Sequence, residues 1–180
     1  MTRARHVVVL TALPLLLVTA CAGPAQPAAP GELAAAAEPH GIAPDLVYVT
    51  EIDGFTLATQ SVGVYGSDGM SAAYTGSSGT VMLTTGREPS PSAPPCDQLP
   101  GTTAGGELSC SVVHGAAHVL LAGDGVDAEV LRAAGAAVRV PTTRELDGLF
   151  GGLSTPHPPV ERGDLPEWDG APDNEPGPGG

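Results

Sequence analysis

Apolar and polar residues alternate along six short runs between residues 46 and 122, and runs of three-to-four periodicity follow. Alternation with period two puts successive side chains on opposite faces of a strand, so this region reads as β. Residues 46–52 (LVYVTEI) are β-branched and aromatic, and Asp53-Gly54 after them is a hairpin turn signal. Phe55, Leu57 and Thr59 alternate on the return strand, so that face is expected to turn inward. Val62, Val64 and Tyr65 continue the strand, with Gly63 read as a bulge. Gly66-Ser67-Asp68-Gly69 turns the chain, and residues 70–75 and 80–85 pair across Gly76-Ser77-Ser78-Gly79. Two further strands, 108–113 and 117–122, turn at His114-Gly115-Ala116.

The period then changes. Asp127 is an N-cap, Glu129 suits the helix dipole, and Val126 is placed to staple onto Leu131. Val130, Leu131, Ala134 and Val138 form a narrow apolar stripe, weakened by Gly135 and ended by Pro141. Thr142-Thr143-Arg144-Glu145 is a capping box, opening a short helix with Leu146, Leu149 and Phe150 on one face. The expected fold class is α+β: an antiparallel sheet of five or six strands, a C-terminal helix and a short capping helix, over residues 44–151.

The flanks read differently. Residues 22–44 carry Pro24, Pro27, Pro30, Pro39 and Pro44 among alanines, so 21–43 is expected to be a semi-extended spacer. A helical turn over 32–38 is too short to stand alone in water. From 151 to 180, fourteen of thirty residues are Gly or Pro, with six acids against Arg162. That composition cannot bury enough apolar area to offset ordering, so 152–180 is expected to be a disordered acidic tail with Trp168 in water.

The N-terminus is an address. Arg3, Arg5 and His6 precede an apolar run over 7–18, which has the form of an export signal ending at residue 20. Val18-Thr19-Ala20-Cys21 resembles the lipobox of bacterial lipoproteins, with Val18 where Leu is commonest. That resemblance implies that Cys21 is acylated and becomes the N-terminus, anchoring the chain on the outer side of the cell membrane. Two or more acyl chains give a stable anchor where one gives marginal binding. Cleavage after Ala22 through Ala20-Cys21-Ala22 is the competing reading. An uncleaved helix fits poorly, because a span wants about 20 apolar residues and Pro14 interrupts this one.

Composition narrows the partners. Seven Arg and no Lys face 20 acidic residues; without Arg3 and Arg5 the balance becomes 5 − 20 = −15. Nucleic acid and electrostatic docking on anionic lipid are excluded by that balance. Six aromatic residues leave any core to Val, Leu, Ile and Ala. If Cys21 carries lipid, Cys96 and Cys110 remain, and an even pair in an oxidising compartment reads as a disulfide. It would close a 15-residue loop, 96–110, that constrains the proline-rich stretch 86–107, worth about 3 kcal/mol in the chain-entropy model.

Candidate chemistry is sparse. Cys110, His114, His118 and Asp124 lie within fifteen residues, but Cys110 is better used on Cys96 and the glycine turn is expected to point the histidines apart. No metal and no cofactor is therefore assigned. Asp124, Asp127 and Glu129 lack the calcium-loop pattern, and no G-x-S-x-G elbow, H-E-x-x-H or phosphate-binding loop occurs. Tyr48, Tyr65 and Tyr74 are the aromatic candidates for a binding face.

The lipobox, the Pro/Ala stretch, the cysteine pair, Leu131-Arg132-Ala133-Ala134 and Arg144-Glu145-Leu146-Asp147 together resemble small actinomycete lipoproteins with a β-rich extracytoplasmic domain. The resemblance implies no activity and no catalytic residue. The expectation is a non-enzymatic, membrane-anchored envelope binding module; the alternative is an extracytoplasmic metal- or small-ligand-binding lipoprotein. An apolar pocket with convergent polar groups would favour the alternative, and a flat tyrosine-bearing patch the first.

Overall fold

The computed structural model describes residues 26–100 and 106–153. Residues 1–20 (read above as an export signal), Cys21, and the acidic tail expected to be disordered, with Trp168, lie outside them. Five strands form one antiparallel sheet: β1 (Phe55–Tyr65), β2 (Gly69–Gly76), β3 (Gly79–Gly86), β4 (Glu107–His114) and β5 (Ala117–Asp124). Their order is β1-β2-β3-β5-β4, so β1 and β4 are the edges. Three helices follow the α+β expectation and exceed it by one: α1 (Pro30–Ala37), α2 (Ala128–Ala136) and α3 (Thr143–Phe150).

One face of the sheet is covered. Met70, Ala72 and Tyr74 of β2, Val81 and Leu83 of β3, and Val119 and Leu121 of β5 alternate into a core shared with Leu131, Ala134, Leu146 and Leu149 of the helices. Tight sheet-to-helix packing needs Gly123, where a Cβ would run into the Val126 side chain and meet Leu131 at 3.2 Å. Val126 and Leu131 thus meet over β5, as the staple requires. Asp127 accepts hydrogen bonds from the amides of Glu129 and Val130, capping α2.

Residues 46–52 are not a strand. A 3₁₀ turn over Pro44–Leu46 leads into an extended run that bridges only Val49 to Arg139. Leu46, Val47, Val49, Thr50 and Ile52 are all buried, so the run lies within the core layer instead of in the sheet. The Thr50 hydroxyl donates to the Ala134 carbonyl at 2.6 Å, and its amide donates to the Tyr74 hydroxyl at 3.2 Å. Five of its seven residues are buried without regard to alternation, Tyr48 being half-buried and Glu51 exposed. Thr85, also buried, donates to the Leu46 carbonyl and accepts from the Met70 amide, which ties the same run to β2 and β3.

The spacer expectation is corrected over 28–43. Ala28, Leu33, Ala37 and Ile42 are buried, Ala28 N–H donates to the Pro141 carbonyl, and Pro27 bridges Thr142. Helix α1 packs against α3, with the His40 ring stacked on Phe150 at 5.6 Å. A helix too short to stand in water is stabilised here by an apolar surface to lie on.

The irregularity expected at Gly63 falls in β1 between Ala58 and Gly63, where five steps on β1 match two on β2. Ser61 fills the gap: its hydroxyl donates to the Ala58 carbonyl and accepts from the Ala73 amide. The cysteine pair is a disulfide, Cys96 to Cys110, with Cα atoms 4.7 Å apart. It draws the proline-rich stretch round the β4 edge, where Pro95 bridges Ser111 in parallel.

Candidate functional site

A cleft of about 760 Å³ opens between β1 and α3. Such a volume lies within the range of ligand sites. Its floor is apolar. Phe55 and Leu57 come from the alternation in β1, Leu149 from α3, Ile52 from the buried run, and Tyr74 from β2. Phe55 and Leu57 remain only half-buried, because β1 is an edge and, among the described residues, no strand lies beyond it to cover them.

Polar groups converge on this floor, and most are already committed. Tyr74 is 5 % exposed, and burial raises its hydroxyl pKa above the ordinary tyrosine value. Glu145 accepts from both Arg139 guanidinium nitrogens, at 2.7 and 2.8 Å, and from the Thr142 amide and hydroxyl. The Arg139 pairing, aided by those Thr142 bonds and opposed by burial, holds its carboxyl near 2. Glu51, Asp53 and Arg144 stand exposed at the rim. Gly148 lines the groove, and a Cβ there would meet nothing within 4 Å.

No family model, no curated protein and no solved structure matches this chain. Its site has to be read from its own geometry.

That geometry separates the candidate ligands. His114 follows Cys110 and Val112 on the helix-covered side of β4, where its ring lies 5.3 Å from Tyr48. His118 pairs with Val113 and belongs to the opposite face, beside Tyr65, Glu88 and Pro89 in a pocket of about 220 Å³. Asp124 ends β5 six residues on, roughly 20 Å away at strand rise. Cys110 is in the disulfide and has no thiolate to donate. Among the described residues, no group of three or more His, Cys, Asp or Glu is placed to hold an ion.

The tyrosines do not share a face either. Tyr74 is in the groove floor, Tyr48 is half-buried with burial raising its pKa, and Tyr65 is 50 % exposed on the side away from the helices. Among the described residues no helix is long and apolar enough to cross a membrane.

Sequence reasoning did not find the groove. Its lining comes from three separated stretches, 49–59, 74 and 144–149, and no linear spacing joins them. The one available signal was Thr142-Thr143-Arg144-Glu145, which shows that Glu145 caps α3 but not that Arg139 reaches it across Pro141.

Proposed function

We propose that this protein is a non-enzymatic, lipid-anchored binding module of the cell envelope, and that the β1–α3 groove is its binding site. The observation that carries the reading is an apolar floor left open at a sheet edge, with a volume near 760 Å³. Its carboxylate and phenol are spent on structure: Glu145 serves Arg139 and Thr142, and Tyr74 serves Thr50. Such groups shape a site; they are not poised to move protons. The anchor is Cys21, and five residues, 22–26, separate it from Pro27, where the first bridge of the described residues forms. At about 3.3–3.6 Å per residue that tether spans roughly 20 Å, so the domain works close to the bilayer.

Gly148→Phe tests the site, since a Cβ at this groove-lining position meets nothing within 4 Å and the added ring takes up groove volume. With a photo-crosslinker at Thr59 on the groove rim, the membrane-bound full chain should form an adduct, and Gly148→Phe should lose it while keeping its thermal midpoint. An adduct of equal yield in both proteins rules the groove out.

A further inference from the structure

Resting on that reading, we infer that the groove's occupant is an extended, cationic polypeptide segment of another envelope protein, which adds to β1 as a sixth, antiparallel strand.

The backbone of β1 provides the first argument. The Ala58 carbonyl faces β2, because it takes the Ser61 hydroxyl that also serves the Ala73 amide. Amide and carbonyl directions alternate along an antiparallel strand, so those of Leu57 and Thr59 face the free edge. Phe55 N–H, on the same side, is already turned back to the Ile52 carbonyl at 3.1 Å. Beyond Phe55, no backbone hydrogen bond among the described residues reaches β1 from its open side. An edge with unmet donors and acceptors is a template for another strand.

The side chains provide the second. Phe55 and Leu57 point under α3, so residues of an added strand opposite them would project into the same groove. Alternate apolar residues in the incoming segment would complete a half-built core layer. The bulge at 58–63 ends the regular edge, limiting the segment in register to about five residues.

Charge chooses the partner's sign. Arg139 and Glu145 neutralise each other, which leaves Glu51, 81 % exposed and 3.8 Å from Arg139, and Asp53 against Arg144. The rim is net acidic on a chain whose net charge is −13, so a segment with Lys or Arg between its apolar residues is attracted and an acidic one repelled.

The test uses the full-length chain in lipid nanodiscs and capped nine-residue peptides with Val or Ile alternating with Lys or Thr. Binding is read by calorimetry and by the Leu57 and Thr59 amide resonances. The Lys peptide should bind, and both amides should gain protection from exchange. Replacing its Lys by Glu should weaken binding about tenfold or more, a difference that salt narrows. N-methylation along the peptide edge facing β1 should abolish binding, while methylation of the other edge should leave it within about twofold. Equal sensitivity of the two edges, or binding with no change at Leu57 and Thr59, overturns strand addition. No peptide binding with the Thr59 crosslink intact overturns it too and leaves the groove reading standing. Loss of both removes the groove as a site.

Discussion

Two glycines show how one substitution changes sign with its surroundings. Gly135 reads in sequence as a weak point of α2, yet its missing side chain is filled by the disulfide: a Cβ would sit 2.7 Å from Cys96 Cβ and 2.9 Å from its Sγ. A cystine cannot swing aside. Gly135→Ala should therefore cost about 1–2 kcal/mol, overpacking exceeding the helix-propensity gain of about 1 kcal/mol. Gly148→Ala, facing the open groove, should gain about 1 kcal/mol by the same propensity. Urea midpoints moving the same way in both variants would refute this account. Glu145 adds a pH signature. Its folded pKa, about 2, lies below the ordinary 4.5, chiefly through Arg139. Its contribution is complete above about pH 4.5 and is lost as pH falls toward 2. Both partners are about a third exposed, so solvent screening leaves on the order of 1 kcal/mol. Glu145→Gln should lower the midpoint at pH 7 and flatten the acid limb in that window; superimposable acid limbs would assign it to other carboxylates.

At the scale of elements, the β4–β5 hairpin settles where its histidines go. The register pairs His118 with Val113, and the alternation of β4 puts Val113 and His114 on opposite faces. Two imidazoles on opposite sides of a sheet cannot converge on one ion, so the thermal midpoint should be insensitive to chelator and to one equivalent of zinc. A rise of several degrees with zinc, removed by His118→Ala, would show a site. The disulfide belongs to this scale too, because it joins the 3₁₀ turn at Cys96–Gln98 to β4 across 14 residues. Reduction should cost about 3 kcal/mol by the chain-entropy argument. A midpoint unchanged by reductant would mean that the Pro95–Ser111 bridge holds the loop without it.

For the whole molecule, the folding of 28–43 bears on how far the proposed anchor at Cys21 would reach. Were 21–43 a spacer, a domain anchored at Cys21 would range over several nanometres; with 28–43 folded against the domain, five residues remain between Cys21 and Pro27. Under the proposed anchoring, so short a link would hold the end of the domain with the Pro27–Thr142 bridge and the start of α3 toward the bilayer. That arrangement depends on acylation of Cys21. Cys21→Ala should leave the membrane fraction while keeping the parent's thermal midpoint, and full retention of the variant would mean that something else holds the chain there.

Sequence alone determined the elements whose signals are local. Turn glycines at 66–69 and 76–79, alternation in 70–75 and 80–85, the Asp127 cap and the Thr142–Glu145 box each need only a few neighbouring residues, and each element formed where they placed it. The cysteine pair followed from counting. Tertiary structure decided the rest, because burial is a property of what lies opposite. Residues 46–52 have strand composition but became part of the core layer, and α1 exists because α3 offers it a surface. The groove is the extreme case: Tyr74, Leu57 and Leu149 are neighbours only once the chain ends its sheet at β1 and lays α3 over the edge. Local propensity makes elements, and long-range packing alone decides which surfaces they leave open.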